Sequence, residues 1–165
     1  MVLSLTRADR PTTISLTFTL QRDRAGLVNL EGEINLENQR CDVGVSGLGG
    51  HQDTVFVVAR RDGVPVGCGT LSLFLQHDVE LLKLFVSRSE RRSRLATRLI
   101  DHAVDEARRC GVDTLHVQMA GSSRAFWRSF VEGREGQVIP PDNLEFDIRV
   151  WTESAPFRWD TPAGK

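Results

Sequence analysis

Five arginines (Arg88, Arg91, Arg92, Arg94 and Arg98) crowd a short segment that holds a single acid, Glu90. Immediately before them runs Val79-Glu80-Leu81-Leu82-Lys83-Leu84-Phe85-Val86, apolar on both faces apart from Glu80 and Lys83. A strand apolar on both sides is a central strand covered by helices. A helical pattern opens after the arginines, at about Leu95. A strand, loop and helix in that order gather unpaired backbone N–H groups and the positive end of a helix dipole at the strand's C-terminal edge. The chemistry this suits is capture of a multiply phosphorylated ligand. The same residues also suit a solvated basic surface, and composition alone does not separate the two.

Other reactive side chains point less firmly. Cys41, Cys68 and Cys110 are odd in number, far apart and in no metal spacing, so reduced thiols are expected and no metal site. His116 and Gln118 share one strand face, where a hydrogen-bonded structural role is the expectation; His51 and His77 sit near loops and are expected to be solvated. The glycine-rich run from Gly44 to Gly50 lacks a Lys-Ser/Thr ending and a strong helix after it, and reads as a mobile linker or substrate loop. Trp151 and Trp159 are expected to pack or to form an oligomer contact. The chain has no tyrosine.

The elements that must position these groups follow from periodicity. Thr13–Leu20 alternates as a half-buried strand. Asp23 to about Cys41 carries a weaker helical pattern on Leu27, Leu30 and Ile34. Thr54–Arg60 and Val64–Leu75 flank the turn residues Arg61-Asp62-Gly63 as a hairpin. The central strand Val79–Val86 leads to a helix from Leu95 to Cys110, with Leu95, Ala96, Leu99, Ile100, Ala103, Val104 and Ala107 on one face and Gly111 as its stop. Thr114–Met119 alternates as a strand joined in parallel through a right-handed crossover. Arg124–Val131 reads as a short helix, and Leu144–Trp151 as a closing strand after the Pro140-Pro141 break. The fold class is therefore α/β, a single-domain mixed β-sheet flanked by helices. The domain is expected over 1–153, with a loosely held tail over 154–165.

Length and composition set the outer bounds. The chain has 165 residues, 40% hydrophobic and 26% charged, enough for one core. Its formal net charge is −1, from 21 basic and 22 acidic side chains. That balance argues against nucleic acid as the main partner, and the arginine cluster lacks the aromatic interleaving of such binders. No apolar run has the length of a membrane span, and the N-terminus lacks a secretory pattern; a cytoplasmic protein without a membrane partner is the expectation.

The stretch Leu84–Ile100, with the preceding hairpin and the following strand, resembles the acyl-CoA-binding core of the GNAT superfamily of N-acetyltransferases. That family places a loop of pattern (Arg/Gln)-x-x-Gly-x-(Gly/Ala) after a strand ending in Val. Here the pattern falls on Arg91-Arg92-Ser93-Arg94-Leu95-Ala96, with Arg94 at the middle glycine. The likeness extends over about residues 54–131: Val58–Gly69 resembles the family's second and third strands, and Ala125-Phe126-Trp127-Arg128 its fourth helix. The resemblance implies a GNAT-like fold and acetyl-CoA as cosubstrate, held by Phe85, Val86, Arg91, Arg92, Ser93, Arg94, Leu95, Ala96 and Thr97, with Ser122 or Ser123 at the pantetheine arm. It implies a small-molecule or peptide amine as acceptor. Dimerisation is frequent in the family and rests here on the resemblance alone.

The implied reaction sets a physical demand. A primary amine with pKa near 10.4 lies about 3.4 units from its nucleophilic form at neutral pH, a deficit of roughly 4.6 kcal/mol. A base must therefore stand near the thioester. The resemblance assigns that role to Glu80, eleven residues before Arg91, where histone-type members carry a glutamate. Alternation expects Glu80 to share a face with Leu82, Leu84 and Val86. The alternative is a strand carboxylate at the surface or paired with an arginine. Backbone N–H of Phe85 or Val86 is implied as the oxyanion donor. The family's general acid, a tyrosine, aligns with Trp127, whose indole N–H cannot serve; a water or Ser129 would have to protonate the thiolate. Two functions follow: an acetyl-CoA-dependent N-acetyltransferase, or a relative that binds CoA or a protein partner without turnover.

Overall fold

The computed structural model describes residues 15–41, 47–49, 53–72, 78–118, 123–132, 134, 138–142 and 145–149. Among these described residues, seven strands and three helices follow in the order β1 (Leu16–Gln21), α1 (Val28–Cys41), β2 (Thr54–Arg61), β3 (Val64–Ser72), β4 (Asp78–Val86), α2 (Leu95–Arg109), β5 (Thr114–Gln118), α3 (Arg124–Val131), β6 (Val138–Asp142) and β7 (Glu145–Arg149). They form one mixed sheet of order β1-β2-β3-β4-β5-β7-β6. Each neighbouring pair is antiparallel except β4 and β5, which run parallel with α2 as the crossover. The α/β class is as the periodicity implies. The tail over 154–165 and the tryptophans Trp151 and Trp159 lie outside the described residues.

Two cores lie on opposite faces of the sheet. Val57, Ala59, Leu71, Val79, Leu81, Leu115, Val117 and Ile148 pack beneath α2 and α3, meeting Leu95, Leu99, Ile100, Ala103, Val104 and Ala107 of α2. These are the α2 positions that the sequence stripe marks, with Ala96 half-buried at its margin. Phe56, Val58 and Cys68 face the other way, against Leu27, Leu30 and Ile34 at α1 and Leu48. The helix α1 starts later than the sequence pattern suggests, because Gly26 turns the chain at φ 73 and the Leu27 amide closes onto the Arg24 carbonyl. At the far end of α2, Gly111 takes φ 74 and the Val112 amide bonds the Ala107 carbonyl, the glycine stop expected there.

One strand escapes the sequence reading. Pro140-Pro141, read as a break, lies inside β6 at the outer edge of the sheet. Proline cannot donate to a ladder, but an edge strand asks for donors on one side only. No helix among the described residues is long and apolar enough to cross a membrane.

Candidate active site

The site lies where the described pairing of two parallel strands ends. β4 pairs with β5 only from Asp78↔Thr114 to Leu81↔Val117. Beyond Leu81, β4 runs on to Val86 held by β3 alone among the described residues. At the same point β4 carries a bulge: Thr70 pairs with Lys83 and Leu71 with Leu81, leaving Leu82 as the extra residue. The Ser87 amide donates to the Val66 carbonyl, so those two residues form a hydrogen-bonded pair. Alternation then turns the backbone N–H and C=O of Val86 and Leu84 away from β3, toward the opened edge, and those of Phe85 back toward β3. The Val86 carbonyl is in fact met from that edge, by the Nε of Arg91 at 3.1 Å. Of the two amides expected as oxyanion donors, Val86 therefore faces the gap and Phe85 does not.

The bulge also moves Glu80. Leu84 and Val86 belong to the core beneath α2, whereas Phe85 packs against the core beneath α1. Glu80 lies between Val79 and Leu81, both turned toward α2, so Glu80 faces the α1 side. The expectation that it shares a face with Leu84 and Val86 is thus incorrect: the extra residue inverts the alternation halfway along β4. Its neighbours in the ladder are Ser72 on β3 and His116 on β5. Glu80 and His116 are each half-buried.

The arginine-rich loop closes the mouth of the gap. After buried Ser87, one turn of 3-10 helix covers Arg88–Glu90. Glu90 accepts from Arg61 twice, Nε at 2.8 Å and Nη2 at 2.6 Å, and that pairing holds its carboxyl below the usual carboxylate range. The loop's one acid is thereby spent on β2. Ser93 Oγ donates to the Glu90 carbonyl, and Arg91 reaches across to Glu37 of α1 besides bonding Val86. Its guanidinium carbon lies 5.7 Å from the centre of the Phe85 ring.

Arg92 and Arg94 both take left-handed backbone conformations, at φ 64 and φ 61. Arg94 is the N-cap of α2 and makes no side-chain capping bond; its carbonyl accepts the Arg98 amide at 3.1 Å. The helix therefore presents the N–H groups of Leu95, Ala96 and Thr97 without intrahelical partners. Buried Leu95 fixes this end of α2 against the sheet, and exposed Arg92, Ser93 and Arg94 surround it. Arg94 stands in solvent instead of filling the gap. The turn that a glycine would give is kept, with a cation added at its tip. Such a loop fits an anionic, phosphate-bearing group.

Other expected participants lie elsewhere. Trp127 is buried in the core beneath α2, edge-on to Phe126 and Phe130 at 4.9 and 5.6 Å. Cys68 is buried in the core beneath α1, and burial pushes its thiol up to about 12. Cys110 is exposed at the far end of α2. No group of His, Cys, Asp and Glu among the described residues has the arrangement of a metal site. Ser122, His51 and His77 lie outside the described residues, while Ser123 precedes α3.

Of the glycine-rich run, the described part is tied down. The Gly47 amide donates to Asn35 and its carbonyl accepts from Lys83 Nζ at 2.6 Å. Leu48 is buried, with its amide on Glu31 and its carbonyl on Thr70 Oγ1; the Gly49 carbonyl accepts from Arg24. Gly47–Gly49 is a clamped segment, not a mobile linker, and it seats on the same face of β4 as Glu80. A groove between α1 and the end of β4 is lined by Glu33, Leu36, Glu37, Arg40, Phe85 and Arg88. Sequence periodicity alone does not reveal Lys83, Thr70 or the Arg91–Glu37 tie, since each joins elements far apart in the chain.

The model of the acetyltransferase (GNAT) family matches residues 24–130. The chain belongs to that family. Solved GNAT structures share its fold at low identity. Tetrahymena GCN5 superposes with a TM-score of 0.62 at 13% identity, covering 82% of this chain and 96% of that one. An IAA acetyltransferase from Bacillus cereus gives 0.58 at 15% identity, over 82% and 99%. The Salmonella typhimurium protein YncA, whose structure includes acetyl-CoA, gives 0.60 at 14% identity, over 88% and 99%. Among curated proteins, an IAA acetyltransferase of Azospirillum brasilense is 36% identical over 64 residues, which is 38% of this chain and 42% of that relative. The chain thus aligns with less than half of that relative's length. The family is one of acetyltransferases, and its model spans the end of β4, the Arg91–Ala96 loop and α2.

Proposed function

We propose that this GNAT protein transfers an acyl group, most simply acetyl, from acetyl-CoA to a primary amine by direct attack. The observation that carries this reading is the gap between β4 and β5 beyond Leu81, with the uncapped start of α2 at its mouth. The amides of Leu95–Thr97 and the cations Arg92 and Arg94 receive the phosphates. The Val86 amide, turned into the gap, steadies charge on the thioester oxygen. Glu80, at the foot of the gap, takes a proton from the incoming ammonium and supplies much of the roughly 4.6 kcal/mol deficit. Direct attack is favoured over an acyl-enzyme at Cys68, which is buried and held as the thiol. The acceptor is a small-molecule or peptide amine.

A second reading, binding of CoA without turnover, is favoured by one observation. The chain has no tyrosine, and Trp127 at the aligned position lies in the core. Thermal unfolding with acetyl-CoA and release of free thiol across an amine panel separate the two. Polyamines, aminoglycosides, amino acids and short peptides make up the panel. Stabilisation with amine-dependent thiol release supports the transferase; stabilisation without release supports the second reading. No stabilisation by acetyl-CoA overturns both.

A further inference from the structure

Acyl transfer to an amine moves two protons, and a single carboxylate holds one. The ammonium R–NH3+ becomes the amide R–NH–CO–CH3. A bond forms from nitrogen to the acyl carbon, the carbon–sulfur bond breaks, and its electron pair leaves on the CoA sulfur. Of the two protons lost from nitrogen, one ends on sulfur and the other in solvent. In this chain no tyrosine is present to manage the sulfur's proton. Ser129, on α3, is exposed, and its helix neighbours Trp127 and Phe130 are buried in the α2-side core. That core lies on the face of the sheet opposite Glu80.

His116 lies beside Glu80, near the end of the β4–β5 pairing. It is the register partner of Glu80 in the parallel pair, one residue before Val117, where the described β4–β5 pairing ends. Leu115 and Val117 on either side of it are buried toward α2, so His116 faces the same way as Glu80. Strands pair about 4.8 Å apart, which makes the carboxylate and imidazole immediate neighbours on one face. The row continues without a break in the ladder: Ser72 of β3, Glu80 of β4, His116 of β5 and Asp147 of β7 are successive register partners. A sheet position at the root of a ligand gap that carries carboxylate and imidazole side by side can hold both protons at once.

We propose that His116 is the proton shuttle of the transferase reaction, accepting a proton from the acceptor nitrogen and delivering it to the departing sulfur while Glu80 takes the other. This rests on the transferase reading above. It assigns the sulfur's proton to the strand that walls the gap, and it gives the chain a reason to dispense with tyrosine. Around His116 on this face stand Glu80 of β4 and, across the bulge, Lys83, and its backbone register partner on β7 is Asp147.

The test compares the unaltered chain with His116→Gln and His116→Ala, using acetyl-CoA and the best amine of the panel above, with thiol release as readout. The proposal expects kcat to fall roughly 10- to 100-fold in both, a loss at the low end of acid–base catalysis because a thiolate is a good leaving group. Acetyl-CoA Kd and the thermal shift it causes stay within about twofold, and added imidazole restores turnover in His116→Ala. The pH–rate profile of His116→Gln loses one limb relative to the unaltered chain. Retention of kcat and of the full profile overturns the proposal, as does loss of kcat together with acetyl-CoA binding and without imidazole rescue. Should both variants fail to fold, His116→Asn is read in the same assay: a fall in kcat with acetyl-CoA Kd unchanged supports the shuttle, and retention of kcat overturns it. Thiol release by the unaltered chain that survives in His116→Gln removes the shuttle alone, whereas an unaltered chain inert toward every amine removes the transferase reading with it.

Discussion

Arg91 donates from Nε to the Val86 carbonyl while its Nη2 pairs with Glu37, so one side chain joins the loop, the end of β4 and α1. The Val86 carbonyl lies on the edge of β4 that β5 leaves, and the arginine therefore stakes out the upper end of the gap. Replacement by alanine removes a hydrogen bond to a backbone carbonyl and a partly exposed ion pair. Arg91→Ala is expected to lose about 1 kcal/mol of stability. Acetyl-CoA should bind roughly tenfold more weakly because the loop loses its tie to β4 and α1 and must be ordered on binding. Calorimetric titration checks this, and an unchanged Kd would show that the loop holds its ligand without Arg91.

Arg94 tests the backbone separately from the charge. Its φ of 61 is a conformation that costs an ordinary L-residue about 1–2 kcal/mol, of which a glycine would recover part against its greater freedom when unfolded. Arg94→Gly is expected to raise stability by about 0.5–1 kcal/mol, and Arg94→Ala to raise it not at all. If the guanidinium also meets phosphate, both variants bind acetyl-CoA more weakly. If only the turn matters, Arg94→Gly binds as well as the unaltered chain. Chemical denaturation and titration of both variants give the answer, and equal stability of the two would contradict the strained turn.

Much of this architecture is legible in the chain. The α2 stripe, the doubly apolar β4 and the strand–helix–strand unit follow from local periodicity, because each depends on residues close in sequence. The loop is legible for the same reason: six consecutive positions carry its pattern, and only the substitution at Arg94 obscures it. What sequence spacing does not give is the bulge at Leu82, since an extra residue in a strand is defined by its partner and not by its own alternation. That one residue sets Glu80 on the opposite face from Leu84 and Val86, while the parallel register with β5 makes His116 its neighbour. The strand β6 hides behind Pro140-Pro141 because proline signals a break unless one knows that the strand lies at the edge of the sheet among the described residues.

Gly67 lets α2 sit close to the sheet at the site. A methyl group there would come within 2.9 Å of Leu99 Cδ1 and 3.3 Å of the Phe85 carbonyl oxygen. Leu99 is buried and the carbonyl is backbone, so neither yields freely. Gly67→Ala is expected to cost about 1–3 kcal/mol through overpacking, and to weaken acetyl-CoA binding by tilting the start of α2 away from β4. Thermal unfolding with and without ligand reads both effects. A variant as stable as the unaltered chain would mean that α2 is not seated against β3.

Cys68 bears on the choice between direct attack and an acyl-enzyme. Burial raises its thiol to about 12, opposed by a weaker contribution from Thr70. A thiol raised in the folded state stabilises that state fully below its unfolded value and loses this as pH climbs toward the folded value. From about pH 9 to 12, ionisation of Cys68 in the unfolded chain should therefore erode stability by roughly 1.4 kcal/mol per pH unit. Lys83, whose burial lowers its pKa, works in the opposite sense over alkaline pH, so the slope must be compared with that of Cys68→Ala. The alanine variant is expected to start lower at pH 8 and to decline less steeply. Iodoacetamide at pH 8 followed by peptide mass analysis should leave Cys68 unmodified in the native protein and label it after unfolding. Labelling of native Cys68 at the rate of an exposed thiol, or loss of amine-dependent thiol release in a folded Cys68→Ala, would restore a covalent route.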